Sequence, residues 1–333
     1  MKSIRLFTVA CLSALALSAT GCPKGLGIPG SGSSKVDPNS CGNYAVSDAG
    51  RKLQAFLTAT AQLETTVNAT AAVVRTSCTM MGDKLQMNAA ELKGETNDVC
   101  ARVFTRVRDN MKVALKANAE LKVVYKPAVC KVDIQASARA AAECEGKAEA
   151  DMSVTCEGTC SGTCNGTCAG TCSGGNAGGK CNGQCAGQCN GSCSGGCDGS
   201  AKVDASAQCR ASAEVKASAT VECTPAEFSV DADASVVVDT AKAEMTLGAL
   251  RAGLPELFSV EARLKPLKAS IESWSSAAGE LGRASGDIAR SFKDQALCIS
   301  GQIAAAVGMV TNIKASVNVS VSVTASAHGS IGK

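Results

Sequence analysis

Fourteen of the chain's 20 cysteines fall into seven pairs whose residue numbers sum to 353, and that register constrains the fold more than any other feature. Ten of them recur every fourth residue in two blocks written mostly as Cys-x-Gly-x, pairing Cys172 with Cys181, Cys168 with Cys185, Cys164 with Cys189, Cys160 with Cys193 and Cys156 with Cys197. A regular repeat makes such symmetry cheap. The irregularly spaced flanking cysteines obey it too, as Cys144 with Cys209 and Cys130 with Cys223. Two arms running in opposite directions, bridged rung by rung, are therefore expected.

A constant sum suits antiparallel strands or antiparallel helices, so the local period decides. From Lys202 to Glu222 polar and apolar residues alternate strictly, and 131–144 nearly repeats this, with Ala141 the one exception on the polar face. That is a strand period. Glycine at every fourth position of the repeat also disfavours helix by about 1 kcal/mol each. The reading is one long β-hairpin over 128–225 with its tip at 173–180, turning through Gly175-Asn176-Ala177-Gly178. Straight, its arms would reach on the order of 150 Å at about 3.3 Å per residue. The register sets Lys131 opposite Glu222, Arg139 opposite Glu214, Glu143 opposite Arg210 and Asp151 opposite Lys202, against one like-charge pair, Glu149 with Asp204. Gly158, Gly162, Gly166 and Gly170 fall opposite Gly195, Gly191, Gly187 and Gly183.

The flanks read as helices. Leu53, Phe56, Leu57, Leu63 and Val67, then Val99, Val103, Val107 and Met111, repeat at three and four residues within 46–127, with breaks near Gly82 and Gly94 and an end at Pro127. Residues 239–312 repeat the pattern, with breaks expected at 253–255 and 282–286. Alternation predicts strands at 226–238 and at 315–327, pairing with one another at the ribbon's base, with 313–333 as C-terminal strand and tail. Cys78 with Cys100 would tie the helical turn, and Cys41 with Cys298 would pin the tether to the last helix. The fold class is α+β, a helical bundle flanking a disulfide-laddered hairpin.

The N-terminus carries an address. Lys2 and Arg5 precede an apolar run from Leu6 to Leu17 that ends in Ser18-Ala19-Thr20-Gly21-Cys22. This segment resembles the bacterial lipoprotein precursors. The resemblance covers 1–22 alone and implies removal of 1–21, lipidation of Cys22, and a palmitate-type acylated anchor. Pro23 after Cys22 leans the resemblance toward the outer membrane. Residues 22–45 then form a lipidated tether, rich in Gly, Ser and Pro between 23 and 40.

Composition narrows function. Without Lys2 and Arg5 the mature chain keeps 31 of 33 basic residues against 30 acidic ones, which makes no electrostatic case for nucleic acid. One histidine, His328, set in a small-residue tail and read as solvated, removes most histidine-dependent chemistry. No catalytic constellation, metal site or cofactor is assigned. The expectation is a non-enzymatic envelope lipoprotein with a structural, adhesion or spacer role, its partners being the membrane and a second copy, an envelope protein or a glycan. The alternative is thiol-rich binding of copper or zinc, which soft thiolates favour. Thr159, Thr163, Thr167 and Thr171 are expected to form one exposed hydroxyl row.

Overall fold

The computed structural model describes residues 35–331 apart from 118, 120, 175, 178 and 179. These residues form six α-helices: α1 (Asp48–Lys84), α2 (Thr96–Ala114), α3 (Ile134–Glu145), α4 (Ala207–Ala219), α5 (Thr240–Arg290) and α6 (Ala296–Ser330). The strands are β1 (Lys122–Lys126), β2 (Val129–Asp133), β3 (Val154–Cys160), β4 (Thr163–Cys172), β5 (Asn176–Ala177), β6 (Lys180–Ser194), β7 (Gly196–Val203), β8 (Glu222–Thr224) and β9 (Glu227–Asp231). The chain is α+β, with a ladder of disulfides across the hairpin region.

Helices α1, α2, α5 and α6 pack on one another as a bundle. Ser47 caps α1 by accepting from the Gly50 amide at 3.0 Å, and the breaks expected near Gly82 and Gly94 separate α1 from α2. The bundle core holds Phe56, Leu57, Leu63, Phe104, Leu250, Leu254, Phe258 and Trp274, all fully or almost fully buried. The Trp274 indole lies parallel to Phe56 at 6.4 Å and donates Nε1–H to Thr60 Oγ1 at 2.8 Å, so its one polar atom is satisfied inside the core.

Several sequence expectations are corrected here. α5 runs unbroken through 253–255 and 282–286 with Pro255 and Pro266 inside it. Leu250, Leu254, Leu257 and Phe258 are buried on both sides of Pro255, and burying them outweighs the roughly 3 kcal/mol of a helical proline. The C-terminal strand at 315–327 is instead the end of α6. Its buried residues are Val317, Ser320, Val323, Thr324 and Ala327, a three-and-four spacing hidden under alternating valines. Helix does not reach Pro127 either. It ends at Ala114, and β1 pairs with β9 from Lys122 opposite Asp231 to Lys126 opposite Glu227, so the partner of the 226–238 strand is β1 and not the C-terminus.

The largest correction concerns 131–144 and 202–222, where only the ends stay in strand, in β2, β7 and β8, and the interiors are the helices α3 and α4. Two residues advance a helix by about 200°, so alternation places successive apolar residues on nearly opposite sides. α4 uses both sides. Ala211 and Val215 enter the bundle core, while Ala213 and Ala217 enter a second core formed with the cysteine repeat. A strictly alternating sequence is then what a helix between two cores requires. Ala141 is fully buried in that second core, so the lone break in the alternation of α3 was itself a helix signal. The alanine face therefore packs within the chain. Of the charge pairs, only Lys131 and Glu222 remain opposed, in the β2–β8 ladder. Arg139 meets Glu149, Lys216 meets Glu143, and Lys202 meets Glu157.

A half-buried ion pair ties α1 to this helical hairpin. Lys52 Nζ lies 3.0 Å from Glu145 Oε2, and Ser206 N donates to Glu145 Oε1 at 2.7 Å. Arg51 Nε donates to the Cys144 carbonyl at 3.0 Å. Burial pushes the Glu145 carboxyl up, but the Ser206 hydrogen bonds and the Lys52 charge outweigh it and bring it down to about 2.

Candidate functional site: a tube filled with disulfides

The cysteine repeat is not a flat ribbon. Gly158 opposes Gly199 on β7 and also Cys189 on β6, and Thr159 opposes Asp198 and Gln188 in the same way. Farther out, Cys164 opposes both Cys193 and Gly183, and Asn165 both Ser192 and Asn182. Every such residue has two neighbours ten residues apart on the other arm. Rising numbers on one arm meet falling numbers on the other in both registers. A ribbon paired along both edges with itself is wound into a tube, with about ten residues of each arm per turn. Winding removes the free strand edges of a flat hairpin.

The bridges run through the lumen. Cys156–Cys197, Cys160–Cys193, Cys164–Cys189, Cys168–Cys185 and Cys172–Cys181 are all bonded, with Cα separations of 5.8, 5.8, 6.0, 5.7 and 5.7 Å. Cys164 is opposed by Cys193 and Gly183 but bonded to Cys189, four residues from one neighbour and six from the other. A position near halfway round a ten-residue turn is the far wall. The sulfurs therefore fill the tube: Cys156, Cys164, Cys189 and Cys197 are fully buried.

Glycine alternates with cysteine at the inward positions because adjacent strands approach too closely for a side chain. A Cβ on Gly158 would lie 1.9 Å from the Asp198 carbonyl oxygen, and one on Gly170 would lie 2.1 Å from that of Ala186. The opposed glycines are Gly158 with Gly199 and Gly170 with Gly187, four residues from the expected register, since the expectation equated bonded cysteines with backbone partners. Winding also shortens the projection. Ten residues advance the tube by two strand widths, so about 20 residues per arm rise on the order of 20 Å in place of the extended estimate.

Outward positions carry mostly uncharged polar groups in lateral files, with Glu157 and Asp198 as charged members near the base. Asp198, Thr159, Gln188 and Ala169 form one, Ser200, Glu157, Asn190 and Thr167 a second, and Ser192, Asn165 and Asn182 a third. The single threonine row is corrected: a four-residue step on a ten-residue turn rotates by about 144°, which scatters Thr159, Thr163, Thr167 and Thr171 around the tube.

At the base, β2 pairs β8 with Cys130 directly opposite Cys223, and β2 also pairs β7 through Val132 with Cys197. Cys130–Cys223, Cys144–Cys209, Cys78–Cys100 and Cys41–Cys298 are bonded as well. All 18 described cysteines are therefore in bridges, and none presents a thiolate in this state. Cys22 lies outside the described residues, as do Gly175 and Gly178 of the expected turn. Asn176 and Ala177 fold back on β6, opposite Cys181 and Lys180.

His328 is not a solvated tail. It stacks on Phe258 at 4.6 Å, meets Tyr125 edge-on at 5.7 Å, and places Nε2 2.7 Å from Glu261 Oε2. Sequence reasoning missed it by reading 313–333 as strand and tail. The signal was present, because Val317, Ser320, Val323 and Ala327 share one helical face that carries His328 to the bundle. Comparison with protein-family models, curated proteins and solved structures returns no match to this chain.

Proposed function

We propose that this is a non-enzymatic lipoprotein of the bacterial outer membrane, held by acyl chains on Cys22, whose disulfide-filled tube serves as a rigid contact element for adhesion or spacing within the envelope. One observation carries the reading: the tube's interior is covalent sulfur, while the outward positions of its described residues are mostly hydroxyl and amide groups with few charges. An isolated two-stranded ribbon is marginal in water, and a lumen this narrow holds no apolar core. Bridges formed in an oxidising compartment stabilise it. The result is a surface of fixed spacing suited to hydrogen-bonding partners such as glycans or another protein of the envelope.

Two experiments test this separately. Replacing Cys22 by Ser should release the protein from membrane fractions and remove the acyl mass from its N-terminal peptide. Unchanged fractionation would sink the anchor. Replacing 154–203 by a short turn should leave the bundle helical by circular dichroism and abolish retention on isolated envelope material. Retention equal to the full chain's would remove the tube from the function.

A further inference from the structure

Residues 35–43 lie ahead of Tyr44, whose buried ring meets Phe292 edge-on at 6.0 Å. The bridge Cys41–Cys298 fastens this stretch to α6. Its other ties are the buried Val36 side chain and three hydrogen bonds: Asp37 N to Gln302 Oε1 at 2.8 Å, Gln54 Nε2 to Asn39 Oδ1 at 3.4 Å, and Tyr44 Oη to Pro38 O at 2.7 Å. The two sulfurs of the bridge differ in access. Cys41 is buried, whereas Cys298 is the one exposed cysteine among the described residues. Cys78 and Cys100 are fully buried, and the least covered of the others, Cys168, Cys172 and Cys223, are half-buried.

Exchange requires a path to one sulfur and a stabilised thiolate as leaving group. Cys298 is the third residue of α6, at the positive end of a 35-residue helix whose N-cap residue, Gln295, makes no side-chain capping bond. That end attracts an incoming thiolate and stabilises Cys298 when it departs as one. Lys293 and Asp294, just ahead of the helix, offset one another in charge. Ser40 Oγ stands 3.8 Å from Cys41 Sγ and 4.0 Å from Cys298 Sγ, and gives its proton to Asp37 O at 2.9 Å. By turning, the same hydroxyl donates to a thiolate at Cys41.

We propose that Cys41–Cys298 is a thiol–disulfide exchange site for a dithiol, entered at Cys298, and that its opening unlatches residues 35–43 from α6. One thiolate of the dithiol attacks Cys298 Sγ. The new sulfur–sulfur bond forms, the Cys41–Cys298 bond breaks, and Cys41 leaves as a thiolate that takes a proton from water. The second thiolate then attacks the first sulfur of the dithiol, which closes to a disulfide and releases Cys298 as thiolate. The dithiol is oxidised by two electrons and the bridge is reduced by the same two. The ties that remain on 35–43 are one valine and hydrogen bonds that water replaces, too little against the freedom of an open chain end. Opening adds on the order of 30 Å, at about 3.3 Å per residue, to the chain between the body and an anchor at Cys22. That consequence rests on the anchor proposed above, and the exchange site does not.

The test is graded reduction of the native mature protein with dithiothreitol, quenched with iodoacetamide and mapped by peptide mass. Labelling of Cys41 and Cys298 with every other bridge retained is the expected result, together with faster amide exchange over 36–42 and unchanged protection of α1. Opening of Cys78–Cys100 or of a tube bridge at the same dithiothreitol concentration overturns the site. With the monothiol glutathione the trapped adduct should sit on Cys298, and an adduct on Cys41 overturns the point of entry. Amides of 36–42 that exchange no faster once the bridge is open overturn the latch. The same order of reduction is expected in Cys22→Ser, so a failed anchor and a failed exchange site give different results.

Discussion

The bundle and the tube solve the same problem with opposite materials. The bundle places Trp274, Phe56, Phe258 and several leucines in a core wide enough to release much apolar surface from water. The tube's walls are too close for any such side chain, and its lumen holds bridges separated by glycines. One is therefore stabilised chiefly by burial, with Cys78–Cys100 and Cys41–Cys298 as added ties, and the other chiefly by covalent closure, with no need of aromatic side chains. This explains how a chain with 3% aromatic residues and 20 cysteines builds an ordered body of this size.

The sharpest way to break that comparison is reduction under native conditions. A strong reductant should erase the strand contribution to circular dichroism while most helical signal persists, since each lost bridge costs about 2–5 kcal/mol and five are stacked in the tube. Collapse of the helical signal together with the strands would show one cooperative unit. The converse is Trp274→Ala. It should lower the stability of the bundle by about 3–5 kcal/mol in denaturant titration with bridges intact, and leave the disulfide map of the tube unchanged.

Acid addresses the join between the regions. The Glu145 carboxyl lies near 2 in the folded chain against an ordinary 4.5, so its contribution is complete above about 4.5 and disappears as pH falls toward 2. The loss should amount to about 3 kcal/mol. Glu145→Gln should flatten the pH dependence of the denaturation midpoint over that window, and an unaltered slope would show that Lys52 and Ser206 do not hold the carboxylate as described. The smallest effects have opposite signs for one substitution. Gly170→Ala meets the Ala186 carbonyl at 2.1 Å and should destabilise the tube by about 1–3 kcal/mol. Gly308→Ala on α6 meets nothing within 4 Å and should raise bundle stability by about 0.5–1 kcal/mol. Equal signs by thermal unfolding would mean that the glycines of the tube are not there for close approach.

Pairing was legible because the cysteine positions carry it directly: a shared sum across irregular spacings has few explanations, and nine bonds link the 18 described cysteines. Helices in the flanks were legible from three-and-four spacing of large residues such as Leu53, Phe56 and Leu57. The sequence could not show that α4 lies between two cores, since alternation of Ala and Ser describes a half-buried strand and a doubly buried helix equally well. Nor could it show that the arms are offset by four residues and wound, because cysteine order records which sulfurs meet and not which backbones do. Cys298 is one more cysteine in the count, and only the packing of 35–43 on α6 leaves it exposed while its partner Cys41 is buried. Covalent partnership is written along the chain, so the sequence by itself determined it. Burial on two sides, winding and the exposure of one bridge depend on which surfaces compete for the same face, and that was decided only in the tertiary structure.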